Sequence, residues 1–266
     1  MKSYLSYFKL RFITNLQYRT EAIAGICTQI FFGLIFIMVY LAFYESGGDA
    51  PMNWQELVNY LWLQQSFFAL IYPFDRENEL LNMIKNGNLA YELIRPQDFY
   101  FKWYIKMLAK RLVAVILRFI PLIILAISLP YPFHLSGPYS INNFIMFIVA
   151  LTLGFFLVTS LNLLMHILTM FTLDEKGTMT TYNVIAEIFM GGTIPIPFFP
   201  LWLKHIAEFL PFRFIGDFPF RIYSNSIPLQ EGCILIIGSI IWIIITISLG
   251  YLISRVSLRK AVIQGG

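Results

Sequence analysis

The sequence predicts an all-α integral membrane protein of six transmembrane helices, and three observations carry that reading. Of its 266 residues 58% are hydrophobic and only 13% charged, about half the charged share of a soluble globular domain. Aromatic residues reach 17%, with 26 Phe and 15 Tyr, and the mean hydropathy is +0.69; one water-soluble core of this length cannot bury so much apolar surface. Third, six apolar runs, at 22–44, 57–74, 108–129, 144–165, 179–199 and 232–254, are long enough to cross about 30 Å of hydrocarbon at about 1.5 Å per residue. A disordered chain, a disulfide scaffold and an ordinary soluble enzyme are excluded.

The elements follow in order. Residues 1–18 read as an interfacial helix, with Leu5, Phe8, Phe12 and Leu16 on one face and Lys9 and Arg11 near its edges, so that the cations snorkel while the helix lies among headgroups. The first apolar run begins too far into the chain, and is too long, for a cleaved signal peptide. The second carries Gln64 and Gln65. Segment 75–106 is too structured for a linker. Asp75 suits a helix start, Glu77 and Glu79 suit its positive end, Leu80, Leu81, Met83 and Ile84 give it an apolar side, and Lys85 and Gly87 mark its stop. That apolar side fits either a soluble partner or the protein's own spans. The third run holds Arg118, and the fifth holds Asn183, Glu187, Gly191 and Pro195. Segment 193–231 is too apolar for a loop in water and too broken by Pro195, Pro197, Pro200, Pro211 and Pro219 for a further span. Its reading is a pair of short helices, at 200–209 and 213–222, dipping into the outer leaflet; Trp202 also suits an aromatic interfacial belt.

Fifteen of the nineteen Lys and Arg residues flank the runs on one side, in the N-terminal segment, between Arg76 and Arg111, in the connection at Lys176 and at the C-terminus; Lys204, Arg213 and Arg221 lie on the other side. That asymmetry places both termini in the cytoplasm. The chain reads as one transmembrane domain, residues 1–266, without internal repeats.

Ionisable groups inside a membrane mark candidate functional sites. Thr180, Asn183, Glu187 and Gly191 share an arc of one helix. Arg118 and Glu187 lie at similar expected depths, about 15 and 12 Å, so they are expected to approach one another within or between subunits, either as a structural pair or as the wall of a path. Cys27 and Cys233 read as buried small hydrophobes, and His134, His166 and His205 lack metal-ligand spacing. No phosphate-binding glycine loop, serine elbow or Cys/His nucleophile pair occurs. The chain is therefore not expected to be an ATPase or another enzyme, nor to hold a cofactor or metal, and its modest basicity does not call for nucleic acid.

Several stretches, in order and spacing, carry a resemblance: Lys9-Leu10-Arg11-Phe12 and Leu16-Gln17-Tyr18-Arg19; Tyr60-Leu61-Trp62-Leu63-Gln64-Gln65; Gly87-Asn88-Leu89-Ala90-Tyr91-Glu92-Leu93-Ile94-Arg95-Pro96; Ile194-Pro195-Ile196-Pro197-Phe198-Phe199-Pro200; Pro219-Phe220-Arg221-Ile222-Tyr223-Ser224; and Gln264-Gly265-Gly266. Through them the chain resembles the permeases of type-2 ATP-binding cassette (ABC) exporters, in particular the bacterial branch called ABC-2 family transporter protein. The resemblance implies six spans in the bacterial inner membrane behind an interfacial helix, a cytoplasmic coupling helix after the second span, and outer re-entrant helices after the fifth. It implies two permease chains, identical or similar, with two cytoplasmic ABC ATPase subunits that hold the ATP and Mg. Carried onto this chain, coupling to the ATPase falls on Glu79, Leu80, Ile84, Gly87, Leu89, Tyr91, Arg95 and Pro96. The re-entrant role falls on Pro195, Pro197, Pro200, Trp202, Pro211 and Arg221. Arg118, Thr180, Asn183, Glu187 and Gly191 would face the translocation path or the dimer interface. The implied function is outward movement of an amphipathic or lipophilic substrate; the alternative is a membrane sensor or scaffold that regulates a partner ATPase without transport.

Overall fold

The computed structural model describes residues 2–17, 19–47, 50–73, 75–86, 89, 92, 96–172 and 175–260. They form a helical bundle. In order come α1 (Lys2–Asn15), α2 (Arg19–Glu45), α3 (Trp54–Ser66), α4 (Phe68–Ile71), α5 (Asn78–Lys85), α6 (Phe99–Ser128), α7 (Ile141–Thr172), α8 (Glu175–Phe189), α9 (Leu201–Phe209), α10 (Asp217–Tyr223) and α11 (Leu229–Lys260). Short 3₁₀ turns at Ile196–Phe198 and Pro211–Phe214 flank α9.

Among the described residues four helices are long and apolar enough to cross a membrane, at Thr20–Glu45, Phe99–Ser128, Ile141–Thr172 and Leu229–Arg259. They match the first, third, fourth and sixth expected spans. Their outward faces carry exposed Phe31, Ile124, Ile145 and Ile244, the side chains that lipid covers. α7 and α11 run side by side, and a hydroxyl pair, Ser160 and Thr246 at 2.7 Å, joins them in the interior. Cys27 and Cys233 do not lie in the core: both are exposed on the outward faces of α2 and α11, where apolar residues gain from lipid as much as from protein.

The second and fifth runs fold differently from the other four. α3 is 13 residues long, breaks at Phe67 and continues as the single turn α4. Every residue from Leu57 to Ser66 is buried, packed among α2, α6 and α10. A helix enclosed by protein on all sides needs no lipid-compatible surface, which is why it carries Asn59, Gln64, Gln65 and Ser66. α8 is 15 residues long and ends at Gly191 with φ +75°, the left-handed conformation that glycine adopts without steric cost.

The broken segment after α8 has two unlike halves. α9 is largely exposed, with Trp202 at 66% and Phe209 at 77%. The turn Pro211–Phe214 and α10 are buried almost throughout. This second half reaches deep along α7: a side chain on Gly154 would meet the carbonyls of Phe214 and Ile215 at 2.9 Å, about 20 Å from the start of that helix.

The second long helix, α6, begins at Phe99, capped by Asp98, which accepts from the Phe101 amide at 3.2 Å. The connection expected over 75–106 is therefore helix at both of its ends. α1 lies against the start of α6, where the Tyr4 hydroxyl accepts from the Asp98 amide at 2.9 Å. Phe8 faces the bundle while Leu5, Leu10 and Ile13 stay exposed.

Candidate functional site

The chemistry concentrates where α1, α4, α5, α6 and α7 meet. Lys102, Lys106 and Lys110 recur every fourth residue on α6, so they stack on one face. Asp75 and Glu77 approach from the segment before α5, and Glu79 from its first turn. Lys106 Nζ lies 2.8 Å from Glu77 and also pairs with Glu79; Lys110 Nζ lies 2.5 Å from Asp75; Lys102 pairs with Glu92 in the interior. The fully buried Trp103 ring lies beneath two of these ammoniums, 4.5 Å from Lys106 Nζ and 5.2 Å from Lys102 Nζ. Arg11 of α1 reaches Glu79 at 3.6 Å, and Arg76 reaches Glu175 of α8 at 2.7 Å. One connector is thus tied electrostatically to three helices, α1, α6 and α8.

Side-chain hydrogen bonds fix its backbone. Arg111 donates to the carbonyls of Leu70 and Tyr72 at 3.1 and 2.7 Å, satisfying acceptors left open where α4 ends. Asn162 of α7 donates to the carbonyls of Pro73 and Asp75, both at 3.0 Å. His166 Nε2 accepts from the Glu77 amide at 2.9 Å. An amide can only donate, so the proton sits on Nδ1, which faces the Asn162 carbonyl at 2.8 Å. Burial pushes the Asp75 carboxyl up, but Arg111 and Lys110 beside it outweigh that and hold it below the usual range. Glu79 is likewise lowered: its partial burial is overcome by Lys106, which binds it, and by Arg11.

The residues expected to couple the chain to an ATPase divide three ways. Glu79 and Ile84 lie on α5, Glu79 in the ion-pair cluster. Leu80 is 0% exposed and packs with Trp103, Leu163 and Ile167, so it anchors α5 to the bundle instead of facing a partner: the apolar side of this helix binds the protein's own spans. The outward side of α5 is polar, with exposed Asn78, Glu79, Asn82 and Lys85. Leu89 is buried and Pro96 exposed; Gly87, Tyr91 and Arg95 lie outside the described residues.

The expected path residues are dispersed. Arg118 does not ion-pair with Glu187 within the chain. It lies in a notch on α2, where it donates to the Glu21 carbonyl at 3.3 Å and where a side chain on Gly25 would meet the guanidinium at 2.7 Å. Glu187 instead accepts from the Thr193 hydroxyl at 3.4 Å. The buried face of α8 is Met179, Tyr182 and Ala186; Thr180 is exposed and Asn183 half-buried. Gly191 lies at a second polar cluster, where its carbonyl accepts from the Tyr60 hydroxyl at 3.0 Å and from Gln64 at 3.4 Å. Gln64 also donates to the Gly192 carbonyl. Towards the start of α3, Asn59 donates to Ser136 at 2.7 Å and accepts from its amide at 2.9 Å, while Tyr223 donates to the Ser136 carbonyl at 3.0 Å. Of the re-entrant residues, Pro195 and Pro211 are buried, Pro197 is half-buried, Pro200 and Trp202 are exposed, and Arg221 lies 3.3 Å from the fully buried Asp217.

Asp75, Lys102, Lys106, Lys110, Arg111 and His166 were not expected as site residues. Four-residue spacing of the lysines on α6 and the alternation of Asp75, Glu77 and Glu79 were the available signals; the basic residues read only as orientation marks. No curated protein and no solved structure matches the chain. A family model described as ABC-2 family transporter protein matches residues 21–265. With its four long apolar helices, the chain belongs to that family: it is a multi-pass membrane subunit of an ABC transporter, not the ATPase.

Proposed function

We propose that the chain is the permease of an ABC exporter, in which α5 receives the motion of a cytoplasmic ATPase and the ion-pair cluster passes it to the spans. One observation carries the coupling part of this reading. α5 turns a polar face outward, while its root is clamped by ion pairs to α1 and α6 and by His166 and Asn162 to α7. A lever works only if it is stiff against its load and accessible to its driver, and this element is both. ATP and Mg would reside on two ATPase copies, and a second permease chain would complete the exporter across a face that includes the half-exposed flank of α8.

In this arrangement both termini are cytoplasmic, the cell membrane is the bacterial inner one, and Pro195 to Arg221 enters from the outer leaflet. Support for the last point is that Phe214 and Ile215 reach Gly154 on α7. The exposed aliphatic faces and the absence of dense charge along them favour an amphipathic or lipophilic cargo.

The test is co-purification with a cytoplasmic ABC ATPase, followed by flux in reconstituted vesicles. Association together with ATP-dependent flux is the expected result. Association without flux would favour a sensor or scaffold role, and no association would reject the proposal. In the reconstituted complex, Asn82→Arg with Lys85→Glu on the outward face of α5 is expected to uncouple hydrolysis from flux while leaving the permease folded.

A further inference from the structure

A groove of about 550 Å³ runs between α1 and the start of α6. Leu5 and Phe8 of α1 and Phe101 and Ile105 of α6 form its walls, with Tyr4 and Lys2 beside them. None of these residues belongs to the ion-pair cluster. Leu5 is 73% and Phe101 41% exposed, so the groove is open to its surroundings. Its one hydroxyl, on Tyr4, already accepts from the Asp98 amide at 2.9 Å. No carboxylate lines it; Asp98, at the head of α6, caps that helix through the Phe101 amide.

The depth of the groove follows from α11. The Phe101 ring lies 5.8 Å from that of Tyr251, and Tyr251 stands about 33 Å along α11 from Leu229. A hydrocarbon layer of about 30 Å crossed by α11 ends near that level, so the groove lies at the edge of the layer. On the same stretch of α11, Leu249, Leu252 and Val256 are exposed, which carries the lipid-covered face of the bundle down to the groove. Two cations stand at this edge. Lys2 is exposed on the groove itself, and the exposed Arg255 lies over the Tyr251 ring, 4.7 Å from its centroid. Among the described residues neither has a carboxylate partner, whereas Arg11, Lys106 and Lys110 each have one.

These walls select against a polar occupant. A peptide segment would bring amides and carbonyls that Leu5, Phe8, Phe101 and Ile105 cannot satisfy; an acyl chain brings none. At headgroup level, an ammonium and a guanidinium without counter-charges attract phosphate. We propose that the groove holds an acyl chain of one anionic phospholipid, whose phosphate is drawn to Lys2 and Arg255. The groove's size suits such a chain. The inference needs only that the protein lies in a membrane; it holds in either orientation and whether or not the chain exports, and it is tested without an ATPase.

The full chain is reconstituted in nanodiscs of equal phosphatidylcholine and phosphatidylglycerol, and the lipid it retains in detergent is counted by native mass spectrometry. A phosphatidylglycerol with a photoreactive group on its acyl chain then maps the contact by peptide mass spectrometry. The expected result is a preference of about ten-fold for phosphatidylglycerol, with label at Leu5 and Phe101 several-fold denser than at Phe31 and Ile124, which face bulk lipid. Lys2→Glu with Arg255→Glu should abolish the preference, and Lys2→Arg should keep it. Leu5→Trp, which narrows the groove and leaves both cations in place, should reduce retention of either lipid. Lys2, Leu5 and Arg255 are exposed, so these variants keep the fold. Equal retention of the two lipids overturns the proposal, as does a preference that the double charge reversal leaves unchanged. Label no denser at Leu5 than at Phe31 overturns it too, and so does a photo-crosslinking residue at position 5 that joins a second copy of the chain in place of lipid.

Discussion

The two polar clusters of this bundle use different chemistry. Around α5 and the start of α6 the partners are full charges, Lys106 with Glu77 and Lys110 with Asp75. Around α3 and the end of α8 they are neutral: Tyr60 and Gln64 on the Gly191 carbonyl, Asn59 on Ser136. Desolvating charge is costly in a low-dielectric interior and is tolerated when a counter-charge and further hydrogen bonds stand in place. Neutral amides and hydroxyls cost less to bury and bind more weakly. The comparison teaches that the charged cluster is a joint whose partners must stay together, whereas the neutral cluster sets the register of helices that are already packed.

That contrast can be broken, and the largest effect is expected in the charged cluster. Lys106→Met leaves Glu77 buried without its cation and should cost about 3–5 kcal/mol. Chemical denaturation in detergent measures this, and adding Glu77→Gln should recover much of the loss; no recovery would mean that the pair is not the unit. Next, Gly191→Ala adds a Cβ at φ +75° directly against the Tyr60 hydroxyl, and about 1–3 kcal/mol should be lost. Tyr60→Phe in the same background should restore part of it, because the close contact is with the hydroxyl.

Acid should separate the two clusters. Asp75 and Glu79 are held below their ordinary values by their cations. Their stabilisation is therefore complete above about pH 5 and is lost as the pH falls through their depressed values. Thermal stability should decline over that range, and Asp75→Asn should flatten the decline; the neutral bonds at Gly191 contribute nothing to this slope. The smallest effect belongs to the outer side of α5. Lys85→Ala should change stability by no more than about 0.5 kcal/mol while weakening co-purification with the ATPase. A large stability loss there would show that this face is already covered within the chain.

Local rules carried the reading a long way. Prolines at 200 and 211 bracket the expected helix at 200–209, which forms at Leu201–Phe209, because proline starts a helix well and cannot continue one. The helix after Asp75 forms at Asn78–Lys85 with Leu80 and Leu81 inward, as its apolar spacing dictates. The second and fifth runs were legible only as apolar length with polar interruptions. Whether Gln64 faces lipid, water or protein depends on what surrounds it, and composition is silent on that. The pairing of Arg118 with Glu187 was inferred from depth alone, and depth says nothing about azimuth: Arg118 turns to the notch at Gly25 and Glu187 to Thr193.

By itself the sequence determined the class of solvent, the four long spans and the short helices, since each follows from hydropathy and local backbone preference over neighbouring residues. Only the tertiary structure decided that Lys106 meets Glu77 across 29 positions, that α3 is enclosed on every side, and that Arg118 packs into the notch at Gly25. These outcomes depend on how helices rotate and cross as they pack. No local pattern encodes that rotation, because it is settled by contacts between segments distant in the chain.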